Sequence, residues 1–203
     1  MATLETTKLN IAGRGHVLHA PVDTRPLDLD AFVFGDESTY GDWTWIGDTS
    51  SENLVEIEND GGDVTYKRTW DRVQVRAVRD EQTTSATINS VNVSGDTFTL
   101  GFNGAVYDAA LDSYKIGANV SSSARAILIV IEDASDVAAL YLPNTDIKGA
   151  FPTFDLEEFT EIPLNVAVLG SVGQVTTAGP LLWEWFVPRP YTGGAEVPEE
   201  PEV

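Results

Sequence analysis

The sequence contains no cysteine and only two histidines, and this limits the covalent links, metal sites and catalytic groups that it can form. Without cysteine, disulfide bonds and thiolate-bound metal ions are excluded. His16 and His19 lie three residues apart with Asp23 as their one close ligand-type neighbour, so the further ligands of a metal site are missing. No nucleophile is located near either histidine, as a hydrolase triad would require. We therefore expect no enzyme activity and no cofactor.

Long apolar runs are absent as well. The longest strong run, residues 126–131, has the length of a strand, whereas a membrane-spanning helix needs about 20 apolar residues. The first residues lack the basic start and apolar stretch of a secretory signal, so we expect none. The apolar share of 42 % suffices for a folded core, and 203 residues favour one domain with room for arms or tails.

Basic residues are scarce, since 12 Lys and Arg stand against 32 Asp and Glu, for a formal charge of −20. Such a chain repels nucleic-acid phosphates and anionic membranes, so we expect no membrane partner. Three explanations stay open: solubility, a surface past which DNA moves without sticking, and adaptation to high salt. Five bases cluster within thirteen residues, namely Lys67, Arg68, Arg72, Arg76 and Arg79. They either pair with an acidic face of a neighbouring subunit or form a solvated strand edge.

What the sequence does contain is a succession of short strand-like segments. Alternating apolar residues and β-branched runs predict strands at 29–34, 43–46, 53–58, 64–70, 73–78, 84–93, 124–131, 137–142, 145–148, 160–169 and 181–187. The continuous apolar run at 124–131 predicts a central strand, and Pro143-Asn144 predicts a turn. Residues 95–102 fit either a short helix capped by Ser94 or another strand. The pattern predicts an all-β sandwich or barrel.

Residues 43–70 form the most distinctive part of the chain. Val55 and Ile57 alternate with acidic residues, as on a half-buried strand, and residues 64–70 alternate again. Between them lies the sequence Asn59-Asp60-Gly61-Gly62-Asp63, whose paired glycines accept the positive φ of a turn. We expect a long hairpin over residues 55–70 with its turn at 59–63.

Tryptophans occur in two pairs at strand spacing. Trp183 and Trp185 share one strand face, and Leu182 and Phe186 share the other. A strand exposed on one side rarely carries aromatic residues on both faces, so a partner subunit is expected to bury one of them. The same reasoning applies to Trp43 and Trp45. There are two alternatives: all four tryptophans are buried inside one domain, or they form a carbohydrate-binding surface.

Three regions differ in composition. Residues 1–28 predict an extended N-terminal arm, rich in Thr with scattered Gly and Pro, and residues 29–187 predict the β-domain. Residues 188–203 combine four prolines with four glutamates and predict a disordered acidic tail.

A series of short motifs runs along the chain in a fixed order. They are residues 13–24, W-T-W-I-G-D-T-S at 43–50, Glu52-Asn53, the turn 60–63 ending in Thr69-Trp70, D-T-F-T-L-G-F-N-G at 96–104, and residues 159–169. In order and spacing this series resembles the major tail tube proteins of long-tailed, siphovirus-type bacteriophages, especially those of actinobacteria. The similarity covers residues 10–187.

The resemblance implies a β-sandwich or barrel of the phage tail tube type, with one short helix, an extended arm and a long hairpin. It also implies a virion protein, assembled in the host cytoplasm, whose hexameric rings stack into a tube around a tape-measure protein. A tail terminator and distal tail or baseplate proteins would be further partners. Genomic DNA would pass through an acidic lumen without specific binding.

The resemblance further suggests which residues make contacts between subunits. The predicted turn, Asn59, Asp60, Gly61, Gly62 and Asp63, would contact the next ring. Candidate subunit-interface residues are Trp43, Trp45, Arg68, Arg72, Arg76, Trp183 and Trp185. The alternative function is a carbohydrate-binding β-sandwich that uses the four tryptophans.

Overall fold

The computed structural model describes residues 13–51, 55–73, 75–133, 136–154 and 159–191. The chain divides into two compact units. Unit 1 comprises residues 1–49, 124–145 and 170–203, and unit 2 comprises residues 50–123 and 146–169. Within the described ranges, no helix has the length and apolar character needed to cross a membrane.

The described residues form mostly β-structure. The strands are β1 Arg14–Ala20, β2 Thr44–Trp45, β3 Glu56–Gly61, β4 Val64–Lys67, β5 Arg76–Arg79, β6 Gln82–Ser90, β7 Val106–Asp108, β8 Ser113–Lys115, β9 Ser123–Asp133, β10 Asp136–Gly149, β11 Ile162–Leu169, β12 Val175–Thr176, β13 Gly179–Pro180 and β14 Glu184–Pro190. One α-helix, α1, spans Gly95–Gly101, and a 3₁₀ turn spans Glu37–Thr39. The main antiparallel sheet has the hydrogen-bonded order β2-β1-β9-β10-β11-β6-β3, and β14 also pairs with β10. The predicted all-β class with one short helix is confirmed.

In unit 1, β1 lies between β2 and β9 and pairs with both in antiparallel register. The composition of residues 1–28 predicts an extended arm here instead. The segment lacks clear alternation because Val17, Leu18 and Ala20 are all buried, as expected for an inner strand. The assignment of residues 1–28 to an arm stays a prediction for residues 1–12, which lie outside the described residues.

The strand predicted at residues 29–34 is wrong. Leu29 and Phe32 are buried, but they lie in turns that follow β1 and fill the core without pairing to a strand. Together with Tyr40 and Trp43 they pack on one face of β1, β9 and β10. The apolar residues are buried as their character predicts, but loop residues packed against a sheet are buried as fully as strand residues, so burial alone does not indicate a strand.

The turn predicted at Pro143-Asn144 is also wrong, because β10 continues through it as a 14-residue strand. Pro143 lies just beyond Tyr141, the last β10 residue that pairs with β14. Its missing amide hydrogen therefore breaks no bond to β14, while its carbonyl accepts a hydrogen bond from the Asp23 amide at 2.8 Å. Proline is tolerated in a strand at such a position.

In unit 2, β6 is flanked by β11 and β3, both antiparallel to it. Ser94 caps α1 in extended conformation and accepts a hydrogen bond from the Thr97 amide at 3.4 Å. Of the two structures that the sequence allows for residues 95–102, helix or strand, the helix is the one that forms. The helix approaches its sheet closely at Gly101. A Cβ there would lie 2.8 Å from Leu164 Cδ2 and 3.1 Å from Gly149 Cα.

The predicted tail begins inside a strand. Residues 188–190 end β14, and residues 192–203 lie outside the described residues. Disorder of the tail and the boundary at residue 188 therefore stay predictions. Between α1 and β9 lies the β7–β8 hairpin, in which Val106 faces Lys115 and Asp108 faces Ser113.

Candidate assembly surface

The turn of the long hairpin does not lie at residues 59–63. In that stretch β3 pairs with β6, with Gly61 opposite Gln82. Further along, β4 pairs with β5, with Val64 opposite Arg79. The two pairings share one register, so residues 56–67 run outward and residues 76–87 return beside them. The hairpin predicted over residues 55–70 is therefore wrong. A long hairpin is present, but it pairs residues 56–67 with residues 76–87, and its turn lies beyond Lys67.

The predicted glycine conformations are correct, although they serve another purpose. Gly61 and Gly62 have φ values of +80° and +76°. A Cβ on Gly61 would lie 2.3 Å from the carbonyl oxygen of Glu81 in the returning arm. Glycine is therefore needed at position 61 for the close approach of the two arms, where the outgoing chain passes from β3 to β4.

The actual tip, which we define as residues 68–73, carries a two-residue loop. The Thr69 amide donates a hydrogen bond to the Arg72 carbonyl at 2.9 Å, and Trp70 and Asp71 lie between them. Trp70 is fully exposed, at 102 % of its reference area. The hairpin thus presents a tryptophan to solvent at its end.

Both faces of this part of the hairpin are open to solvent. We call residues 64–79 the outer hairpin; every residue of β4 and β5 is exposed. Its exposed apolar side chains include Val64, Tyr66, Trp70, Val73, Val75 and Val78. An isolated two-stranded ribbon is only marginally stable in water, and exposed apolar surface of this kind marks an interaction site. The outer hairpin is therefore the best-supported contact surface of unit 2.

The outer hairpin is also basic. It carries five of the twelve bases and a single acid, Asp71, for a formal +4 in a chain of −20. Among the described ion pairs, none involves these five bases. The structure therefore brings Arg68, Arg72 and Arg76 together on one exposed element.

The four tryptophans in unit 1 do not form one surface. Trp43 is only 5 % exposed, and its Nε1 donates a hydrogen bond to the Arg25 carbonyl at 3.0 Å, so it belongs to the core. Trp45 is half-buried and stacks on His16 with ring centroids 4.6 Å apart. Trp183 and Trp185 are 53 % and 45 % exposed. A common carbohydrate platform of four tryptophans is thus not formed.

The strand predicted at 181–187 begins at Glu184, so Trp183 precedes it. Trp185 lies in β14 opposite Leu140 of β10. Both rings remain accessible, and together with Trp45 they stay candidate interface residues of unit 1.

His16 lies in an aromatic cluster, where its Nδ1 is 3.2 Å from Tyr40 Oη and its ring meets the edge of Phe34. Burial lowers the pKa of His16 below its ordinary value, nearby Arg14 lowers it further, and Asp48 opposes this. The ring is therefore neutral at pH 7. In the part of the chain that the structure describes, no three His, Asp or Glu side chains group as metal ligands.

Three exposed phenylalanines were missed in the sequence. Phe154 and Phe159 lie between the bridged residues Thr153 and Glu161, and Phe151 precedes the bridge. Each of the three rings is more than 80 % exposed, and we call residues 151–159 of unit 2 the phenylalanine loop. The signal was present as three phenylalanines in nine residues between predicted strands. Exposure of three large rings so close in sequence makes this loop a second candidate contact surface.

Two comparisons with known proteins bear on this geometry. The family model described as phage tail tube protein matches residues 2–192. That match includes the long hairpin, the phenylalanine loop and all the described strands. A search of curated proteins found no match.

Proposed function

This chain belongs to the phage tail tube protein family, and from that premise we propose that its outer hairpin joins one ring of subunits to the next. As a member of the family the chain is a structural component of the virion tail, self-assembles, and is not an enzyme. In the proposed assembly six copies form each ring, and rings stack into the tube through which DNA is ejected. The motif series noted above supports a siphovirus-type tail, of the kind found in actinobacteriophages.

The exposed outer hairpin is the observation that carries this proposal. Its β4 and β5 are solvent-exposed on both faces, and its tip carries a fully exposed tryptophan. Such a ribbon gains stability when another subunit covers it. If each hairpin contacts a different surface of the next copy, the contact is heterologous and repeats without closing. An open stack is the expected product.

The charge distribution supports the same arrangement. Two chains of −20 repel each other, and a +4 hairpin offers the complementary charge at the place of contact. The remaining acids outnumber the remaining bases by 31 to seven. An acidic lumen built from some of these carboxylates would repel the DNA backbone and let it pass without specific binding.

Other contacts in the proposed tube follow from the remaining exposed side chains. Trp45, Trp183 and Trp185 of unit 1 are candidates for the contact between neighbours within a ring. Asn59, Asp60 and Asp63 are exposed along the body of the hairpin and remain candidates for the flank of the ring-to-ring contact. The tape-measure protein inside the tube, the tail terminator and the distal tail or baseplate proteins are the further partners we propose.

A shortened hairpin tests the proposal. Lys67 and Arg76 face each other, so residues 68–75 are replaced by Asn-Gly, which closes a two-residue hairpin. We expect the unaltered chain to form hollow tubes with six-fold symmetry in negative-stain electron microscopy. We expect the shortened chain to fold, judged by circular dichroism and thermal melting, and to stop at rings or monomers. Normal tubes from the shortened chain would overturn the proposed role of the hairpin.

A further inference from the structure

An aromatic cleft lies between α1 and the β7–β8 hairpin in unit 2. Its volume is about 480 Å³, and its lining consists of Val93, Gly95, Phe98, Tyr107, Asp112, Ser113 and Tyr114. Asp112 and Tyr107 lie at the solvent-exposed side. Neither the sequence motifs nor the proposed hairpin contact assigns a role to this cleft.

The cleft wall is a row of three rings. Phe98 and Tyr114 stack with centroids 5.5 Å apart and planes 3° from parallel, and Tyr107 follows at 5.1 Å from Tyr114. Tyr114 packs directly on α1, since a Cβ on Gly95 would lie 1.9 Å from its Oη. The position of the ring row is therefore determined by packing.

One carboxylate ends the row. Tyr107 Oη donates a hydrogen bond to Asp112 Oδ1 at 2.6 Å, which orients the carboxylate. Among the described contacts, none uses Asp112 Oδ2, and Asp112 itself takes part in no described ion pair. The neighbouring Asp108 is instead paired with Lys115.

Phe98 stacks with Phe102 and with Tyr114, so the ring that remains open to a ligand is Tyr107, which is 49 % exposed. An exposed tyrosine ring beside an available carboxylate suits a planar cation. A guanidinium stacks on aromatic faces and donates two hydrogen bonds to a carboxylate, whereas the ammonium of lysine lacks this planar match. The ligand chemistry that fits the cleft is an arginine side chain.

We propose that this cleft receives a tip arginine, Arg68 or Arg72, from the outer hairpin of a second copy, with Asp112 as its ion-pair partner. This inference rests on the proposed hairpin contact, and it identifies the cleft as the surface of the next copy that receives the hairpin. Arg68 and Arg72 flank the exposed Trp70-Asp71 loop and have no described ion-pair partner in their own chain. Every copy carries one hairpin and one cleft, so each added ring leaves a new acceptor open.

A double-mutant cycle tests the pairing. Asp112→Asn removes the charge, keeps the side-chain shape and tolerates the local φ of +47°. We expect D112N, and R68Q or R72Q, each to raise the critical concentration for tube formation about tenfold, the loss expected for a charged hydrogen bond. If the two residues form a pair, the double variant should have a critical concentration no higher than that of the worse single variant.

Matched controls separate this pairing from general charge effects. Asp96→Asn removes an exposed acid on α1 that does not line the cleft, and Lys148→Gln removes an exposed base outside the outer hairpin. Both should leave the critical concentration within about twofold of the unaltered chain, as expected for charges without a specific partner. Additive effects of D112N with both tip variants would overturn the proposal.

Crosslinking provides a readout of proximity. The chain has no cysteine, so single variants R72C, R68C and D112C each carry one thiol. Mixed tubes of D112C with a tip variant should crosslink through a short bismaleimide, and mixtures of D112C with T177C, a thiol in an exposed turn of unit 1, should not. If the chain with the shortened hairpin forms no tubes, but D112N assembles normally and no crosslink forms, the proposed role of the cleft is refuted and the hairpin contact stands. If the chain with the shortened hairpin assembles normally, both proposals are refuted.

Discussion

At the scale of single residues, Asp23 organises one end of unit 1. It has a positive φ of 62°, and its Oδ1 accepts a hydrogen bond from Ser171 Oγ at 2.5 Å. Its Oδ2 accepts from the amides of Val172 and Gly173 at 3.1 and 2.7 Å. Three donors from a distant segment thus converge on one carboxylate, a charge-assisted arrangement stronger than neutral hydrogen bonds.

Asp23→Asn is therefore expected to destabilise the chain. Asparagine tolerates the left-handed backbone but places an N–H₂ or a weaker acceptor against the three donors. We expect the free energy of unfolding to fall by about 1–3 kcal/mol, measured by urea denaturation. Asp42→Asn, an exposed acid of the same unit, should change it by less than about 0.5 kcal/mol. Equal effects of the two substitutions would show that the carboxylate of Asp23 does not anchor the segment.

His16 makes stability depend on pH with a definite sign. Its pKa is lowered in the folded chain, mainly by burial, so below pH 6.5 the unfolded chain binds a proton more readily than the folded one. Stability contributed by neutral His16 is complete above pH 6.5 and is lost as pH falls towards the folded pKa.

We expect His16→Gln to reduce the loss of unfolding free energy between pH 7.5 and pH 5. The measurement is urea denaturation at several pH values, with His19→Gln as the matched control. If H16Q kept the full pH dependence of the unfolding free energy and H19Q removed it, His16 would not be the source of that dependence.

At the scale of elements, the long hairpin shows why a glycine pair is ambiguous. Positive φ is needed both in a tight turn and where two arms of a ribbon approach closely. The sequence Asn59–Asp63 satisfies the first requirement and so predicts a turn there. The register shows otherwise, because Gly61 faces Gln82 and Val64 faces Arg79. Trp70, predicted at the end of an arm, lies at the tip.

Gly61→Ala and Gly62→Ala form a matched pair that tests this interpretation. Both change glycine at a positive φ, a cost of about 1–2 kcal/mol. Only the Cβ at position 61 collides with Glu81, because the nearest atom to a Cβ at position 62 is 3.9 Å away. We expect G61A to speed hydrogen exchange of the β4 amides at least several-fold more than G62A. Indistinguishable exchange in the two variants would contradict the close approach at position 61.

At the scale of the whole molecule, exposed apolar surface and charge point to assembly. Phe151, Phe154 and Phe159 and the outer hairpin expose large apolar side chains that a chain acting alone would bury. The family match explains this, since a tail tube protein functions as an assembled polymer. Its net charge of −20 opposes association, so under the proposed function specific apolar and basic contacts would decide where copies meet.

Several features could be predicted from the sequence. The continuous β-branched run at 124–131 predicts the inner strand β9, and the pattern at 160–169 predicts β11. The family resemblance followed from motif order. The strand at 29–34 and the turn at Pro143 failed because apolar character and proline do not reveal which neighbour completes the packing.

The sequence by itself determined the all-β class, the lack of cysteine chemistry and the strongly acidic charge, because these depend on composition and on local periodicity. It also determined that paired glycines and clustered bases follow one another within residues 59–79. Only the tertiary structure decided which segments pair in the long hairpin and where it turns, that Trp43 belongs to the core, and that three rings and Asp112 form a cleft. Those outcomes depend on strand register and on contacts between residues far apart in the chain, which no local pattern specifies.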